Sequence, residues 1–259
     1  MKPTFTRLVT LLFVLTMGVN SLYAQMNPKT EKGGTLANYM VKINLLGLPL
    51  NNYSFQFERA IGKKTALGLG VRFMPKSGLP FQSGIESLIN DPESWDQIRG
   101  FKTGNLAISP EVRFYLGKGV FHGFYVAPFA RYTNYSADLP VNFDVPGQAG
   151  NTTTEMIPLS GDLTTITGGL LVGAQWKISR LVYIDWSILG PQYGFSNGNI
   201  AGQRSLTAEE QQALRDELQN LEDLPLINTT YTVDNNGAKV DFKGPWAGIR
   251  SSFSIGFRF

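Results

Sequence analysis

Few side chains in this sequence could do acid–base, nucleophilic or metal chemistry. There is no cysteine and a single histidine, His122. Thiolate nucleophiles, thiolate metal ligands and disulfides are therefore excluded. His122 lies in Gly117–Gly123, a stretch of turn composition without a carboxylate. A histidine base needs an orienting partner within hydrogen-bond reach, so a turn role is expected for it. Charged side chains at positions that would face a lumen remain: Lys42, Glu58, Arg72, Glu111, Arg113, Arg131, Lys177, Asp185, Arg250 and Arg258. Paired carboxylates such as Glu58 and Glu111 could in principle exchange protons, but the surrounding arginines favour ion pairing. No metal-ligand spacing, phosphate-cradling loop or nucleophile elbow is present, and no cofactor or metal is expected. The acidic run Asp91–Asp96 reads as solvated surface.

The elements that position these charges alternate with period two, the mark of strands with two unlike faces. Phe253, Ile255, Phe257 and Phe259 share one face of the final segment; Ser252, Ser254, Gly256 and Arg258 share the other. Residues 38–47, 52–60, 65–74, 104–116, 123–135, 164–178 and 181–193 alternate in the same sense. A membrane-crossing strand needs about 9–11 residues, and backbone groups in lipid must all be paired, so such strands must close. The expected fold is all-β: an eight-stranded antiparallel transmembrane up-and-down barrel. Eight strands leave an interior that side chains can fill. A lumen network centred on Glu58, Glu111, Arg113, Arg131 and Asp185, with Arg72, Arg250 and Arg258, is expected to plug it. Links near 61–64, 117–122 and 179–180 are short; those near 75–103, 136–163 and 194–245 are long, with the first connection, near Gly47–Asn51, a short exception. Short periplasmic turns alternating with long extracellular loops is the pattern of such barrels.

The N-terminus has a basic start at Lys2 and Arg7, an apolar run Leu8–Val19 and Leu22-Tyr23-Ala24 before Gln25. It reads as a secretory signal peptide over 1–24, too short to anchor. A periplasmic segment over 25–36 and a barrel domain over 37–259 would follow. The 23 basic residues outnumber the 20 acidic ones. Cleavage would remove two bases and no acid, so the mature chain is near neutral and nucleic acid is not an expected partner.

One helix is expected in the last long loop. Thr207-Ala-Glu-Glu210 is a capping box, opening a helix to about residue 222. Leu214, Leu218 and Leu221 form its apolar stripe. The stripe would pack on its own loops or offer a docking face to a partner.

The ending Phe253-Ser-Ile-Gly-Phe-Arg-Phe259 resembles the C-terminal signal of outer-membrane barrels, which implies reading by the barrel assembly machinery. Gly123-Phe-Tyr-Val-Ala-Pro-Phe-Ala-Arg-Tyr132 and Asp185-Trp-Ser-Ile-Leu-Gly-Pro-Gln-Tyr-Gly194 resemble an uncharacterised family of small outer-membrane β-barrels of Bacteroidota. That resemblance implies an outer-membrane location and no activity. The expected function is therefore non-catalytic: a structural or interaction barrel, as an accessory subunit of a larger outer-membrane assembly. Its surroundings would be outer-membrane lipid and a protein partner at the extracellular loops. The alternatives are a narrow pore for small solutes, a lipid-modifying enzyme and a soluble lipocalin-like carrier. The enzyme is disfavoured because barrel lipases and deacylases use a paired histidine.

Overall fold

A computed structural model describes residues 38–88, 95, 99–146, 152–219 and 228–259. The expected signal peptide, the 25–36 segment, Leu221 and the acidic run apart from Trp95 lie outside the described residues. Among the described residues there are nine strands: β1 (Tyr39–Asn44), β2 (Tyr53–Ala60), β3 (Thr65–Gly78), β4 (Lys102–Tyr115), β5 (Gly123–Pro146), β6 (Thr152–Lys177), β7 (Val182–Gln203), β8 (Asn228–Asp234) and β9 (Gly237–Arg258). Neighbours are antiparallel and run in order from β1 to β7, then β9, which pairs back with β1. Eight strands thus close a ring. The ninth, β8, pairs with β9 alone and stands outside the closure.

One end of the ring carries tight turns, closed by backbone bonds such as Ile61 N–H to Thr65 O (3.0 Å) and Ile178 N–H to Val182 O (2.9 Å). The other carries the longer connections. Here the structure corrects the expected boundaries. Residues 136–163, expected as a loop, are mostly the outer arms of β5 and β6, paired from Tyr135–Leu163 to Pro146–Thr152. Residues 194–245 contain the arms of β7 and β9, the extra strand β8 and a helix. That helix, α2, spans Ala208–Gln219. A short helix not expected from sequence, α1 (Gln82–Leu88), follows β3.

The outside of the ring is apolar. Phe57, Leu69, Ile108, Leu170, Val172 and Phe257 all point outward and are exposed. At roughly 25 cal/mol per Å², such a band in water would be strongly unfavourable; in lipid it is the matching surface. The seam follows the same rule. Val41 and Val182 flank Phe257, Ile43 and Ile184 flank Ile255, and Phe253 faces Trp186. Phe259 stacks on Tyr39, with ring centroids 6.2 Å apart.

Further along the same strands the pattern turns inside out. On β6 the outward positions pass from Trp176, Val172, Leu170 and Ile166 to Thr164, Asp162 and Ser160. The inward ones pass from Gln175, Thr167 and Thr165 to Leu159 and Ile157, both buried. On β9, inward Arg250 and Ser254 give way to Val240 and Ala238, while Lys239 and Asp241 pair outside at 2.8 Å. Strands of 22–26 residues reach well past the 9–11 that a membrane requires, and their outer parts are the arms. They form an extension whose core joins Ile157, Leu159, Leu206, Val233 and Val240 with Leu214 and Leu218 of α2.

Register is reset within β7. Val172 pairs with Leu189 and Gly173 with Ser187, so Ile188 is an inserted bulge residue on β7. Outward side chains before it are Ile184 and Trp186; after it they are Leu189 and Tyr193. The sequence pattern predicts an unbroken alternation here, with Ile188 sharing the outward face, and the bulge corrects it.

Candidate functional site

Strand alternation aims every second side chain into the lumen, and at mid-height these are large and ionised. Arg113 on β4 is fully buried and central. Its guanidinium donates to Glu111 (2.5 Å), pairs with Glu58 (2.9 Å) and Asp185, and donates to Gln56 Oε1 (3.0 Å). Lys42 on β1 is buried beside it and binds Glu58 (2.5 Å), Asp185 and Gln175 Oε1 (3.2 Å). Arg250 on β9 donates to the second oxygen of Glu111 at 2.5 Å. One network therefore links β1, β2, β4, β6, β7 and β9. Taking ions from water is unfavourable by several kcal/mol each; only dense mutual pairing offsets it.

Tyrosines complete the network. Tyr115 donates to Gln175 at 2.7 Å and Tyr125 to Asp185 at 2.8 Å, and the Arg113 guanidinium lies 4.2 Å above the Tyr125 ring centroid. Glycines make room for them. A Cβ on Gly173 would lie 2.3 Å from the Tyr125 hydroxyl, and one on Gly68 2.7 Å from Glu111 Cγ. Toward the tight-turn end the lumen becomes apolar: Met40, Ala66, Tyr115, Tyr183 and Phe121 pack together. Phe121 comes from the β4–β5 turn, where its backbone adopts φ 63°, a conformation unfavourable for an aromatic residue. The gain is complete burial of the ring, which meets Tyr115 edge-on at 6.2 Å. His122, next in the turn, is exposed.

The expected lumen residues divide into three groups. Glu58, Glu111, Arg113, Asp185 and Arg250 are brought together. Arg258 sits lower, at the apolar floor, over the Phe121 ring (5.1 Å) and donating to Tyr183 (3.2 Å). Arg72 and Arg131 lie above the network and bind neutral groups, Asn105 Oδ1 (3.0 Å) and Ser109 Oγ (2.9 Å). Arg131, expected at the centre of the plug, is therefore not one of its ion-pairing members among the described residues. Sequence reasoning missed Gln56, Gln175, Tyr115, Tyr125 and Ser187 as partners. Parity held the signal for the tyrosines: both occupy inward positions, where a polar tip on an aromatic needs a partner.

Between the network and the β1–β2 turn lies a cavity of about 230 Å³. Lys42, Arg72, Arg131 and Arg250 line it together with Ser109 and Ser252. Among the described residues no group of acidic or histidine side chains could hold a metal ion.

Of the two readings of the helix stripe, the structure bears out packing on its own segment. Leu214 and Leu218 are buried against the strands of the extension, so they do not form an open docking face. The hydrophobic gain of packing on their own arms outweighs leaving them in water.

No curated protein matches this chain. A major outer membrane protein from Thermus thermophilus is similar over 85% of this chain and 97% of that one, at 12% identity and a TM-score of 0.36. The beta domain of the Bordetella autotransporter Brka is similar over 87% and 99%, at 12% identity and 0.24. Both likenesses are too weak to carry an argument. Residues 9–197 match the profile described as protein of unknown function (DUF3575), and the chain belongs to that family.

Proposed function

We propose that this protein is a plugged, non-catalytic barrel of an outer membrane that serves as a structural or interaction component, with its strand-built extension as the contact surface. The observation that carries the reading is the lumen itself. A network around Arg113 spans it at mid-height, and Phe121 with Tyr115 and Tyr183 fills it below. A path for solute would have to break several buried ion pairs at once. The apolar outer band supports a membrane location, and the polar outer faces of the arms support projection into water. On this reading the long connections face outside the cell, and α2 with the tips of the arms meets an accessory partner. An enzymatic role has no support in the placement of His122, which is exposed at the turn end.

The reading is tested by two measurements on the intact protein. Purified from native outer membranes in mild detergent, it should bring down a stoichiometric partner identified by mass spectrometry. In planar bilayers it should give no ohmic openings. Reproducible conductance would favour the second reading, a narrow pore, which the cavity above the network supports as a half-channel.

A further inference from the structure

We propose that the upper lumen is a binding site for a small oxyanion, a phosphate or a dicarboxylate. Above the apolar floor, the described lumen side chains include five cations, Lys42, Arg72, Arg113, Arg131 and Arg250, against three carboxylates, Glu58, Glu111 and Asp185. All three carboxylates are already committed to Lys42, Arg113 and Arg250. Arg72 and Arg131 have no carboxylate within ion-pairing distance among the described residues. Each spends its Nε–H on a neutral oxygen, which orients the guanidinium. The terminal nitrogens of both then have no partner on the described chain, and both residues line the same cavity.

Three guanidiniums converging on one space repel each other, an arrangement that makes physical sense with a negative charge among them. Arg250 supplies the third: its Nη1 holds Glu111, and the Gly70 backbone opens space beside its Nη2, 3.9 Å from where a Cβ would stand. Planar forks match phosphate and carboxylate oxygens two at a time. Ser109 and Ser252 add hydroxyls that can donate to remaining oxygens. At about 230 Å³ the space is below the roughly 300 Å³ where drug-sized sites begin, so the occupant is small. It is a dissolved anion and not a lipid headgroup, because the cavity lies inside the strand wall. The site does not depend on the contact role proposed above, and its test is separate from conductance and co-purification.

The test is thermal unfolding of the full protein in a neutral detergent, titrated with inorganic phosphate or succinate against chloride at equal ionic strength. Phosphate or succinate should raise the melting temperature in a saturable way, and chloride should not. Arg72→Gln and Arg131→Gln should each weaken the apparent affinity about tenfold or more, since each removes charge-assisted bonds. Lys76→Gln, at an exposed pair with Asp138, should leave the affinity unchanged. A heat-dependent shift in gel migration, as in the parent protein, confirms that each variant is folded. Should the glutamine variants fail to fold, Arg131→Lys keeps the charge, loses the fork and should show a smaller loss of affinity. Equal melting temperatures in all three salts, or an affinity unmoved by the arginine variants, would overturn the proposal.

Discussion

One strand, β6, passes through two opposite designs. Between residues 165 and 176 apolar Ile166, Leu170, Val172 and Trp176 face out while Thr165, Thr167 and Gln175 face in beside Leu171; between 157 and 164 polar Ser160, Asp162 and Thr164 face out while Ile157 and Leu159 face in. The backbone pairing is unbroken between Gly123–Gln175 and Pro146–Thr152. What changes is the solvent. In the lower half lipid meets the outer wall, and the lumen holds a mid-height ion network above an apolar floor of Met40, Phe121 and Tyr183. In the upper half water meets the outer wall, so the space between the arms becomes an ordinary core of Ile157, Leu159, Leu214 and Val240. Lower-half uniqueness comes from electrostatic pairing, and upper-half uniqueness from packing.

The largest effect should come from the centre of the lumen. Arg113→Ala leaves Glu58, Glu111 and Asp185 with too few cations in a buried site, and should cost about 3–5 kcal/mol. Urea unfolding from lipid vesicles measures it. A loss below about 1 kcal/mol would mean that water screens the lumen, and the contrast between the halves would fail.

The matching change above the membrane is Leu214→Ala. Removing a fully buried leucine from the small core should cost roughly 2–5 kcal/mol. The effect should stay local. Hydrogen exchange should accelerate in α2 and β8 while the barrel strands keep their protection. Acceleration in both halves alike would show a single cooperative unit.

The boundary between the halves can be placed by one substitution made twice. Leu170→Arg puts a charge in the outward apolar band and should cost about 2–4 kcal/mol. Ser160→Arg puts the same charge on the outward face of the same strand beyond the band, where a change within about 0.5 kcal/mol is expected. Similar losses at both sites would remove the case for a lipid-facing band ending near Ile166.

Those same residues explain what was legible in the sequence. Eight barrel strands were readable because polarity and period agree between Phe253 and Phe259, or between Leu67 and Phe73. The arms were not, because the period of two continues past Thr164 while the apolar side changes over. A reader of alternation takes that change as the end of a strand. The bulge at Ile188 hid in the same way, since an inserted residue shifts phase without altering composition. Strand β8, Asn228–Asp234, is threonine-rich and pairs on one edge only, so it carries little hydrophobic signal. In the lumen, charge identity was readable and pairing was not. Glu111 meets Arg250 across 139 positions of sequence, and only closure of the ring supplies that contact. The capping box needed no tertiary information and was visible in four residues.

That box gives the smallest and most local prediction. Glu210 Oε2 accepts from the Thr207 backbone N–H (2.7 Å), and Thr207 Oγ1 accepts from the Glu210 N–H (3.3 Å). Arg204 ties the carboxylate to Glu155 of β6, with contacts of 3.1 and 2.7 Å. Thr207→Ala should loosen α2 by about 1 kcal/mol. The hydrogen bond from the Thr207 N–H, more than the Arg204 charge, holds Glu210 below its ordinary value of 4.5. A depressed carboxylate stabilises the fold fully above that unfolded value, and its contribution fades as pH falls through the lowered one. Exchange in residues 208–219 should therefore rise on acidification below pH 4.5, after correction for the intrinsic rate. Glu210→Gln should flatten that rise, because the amide keeps the bond to Thr207 without titrating. An acid response that persists in Glu210→Gln would place the titrating group elsewhere in the extension. A response shared with the barrel strands would show that the helix is coupled to the lumen network, against the independence argued for the two halves.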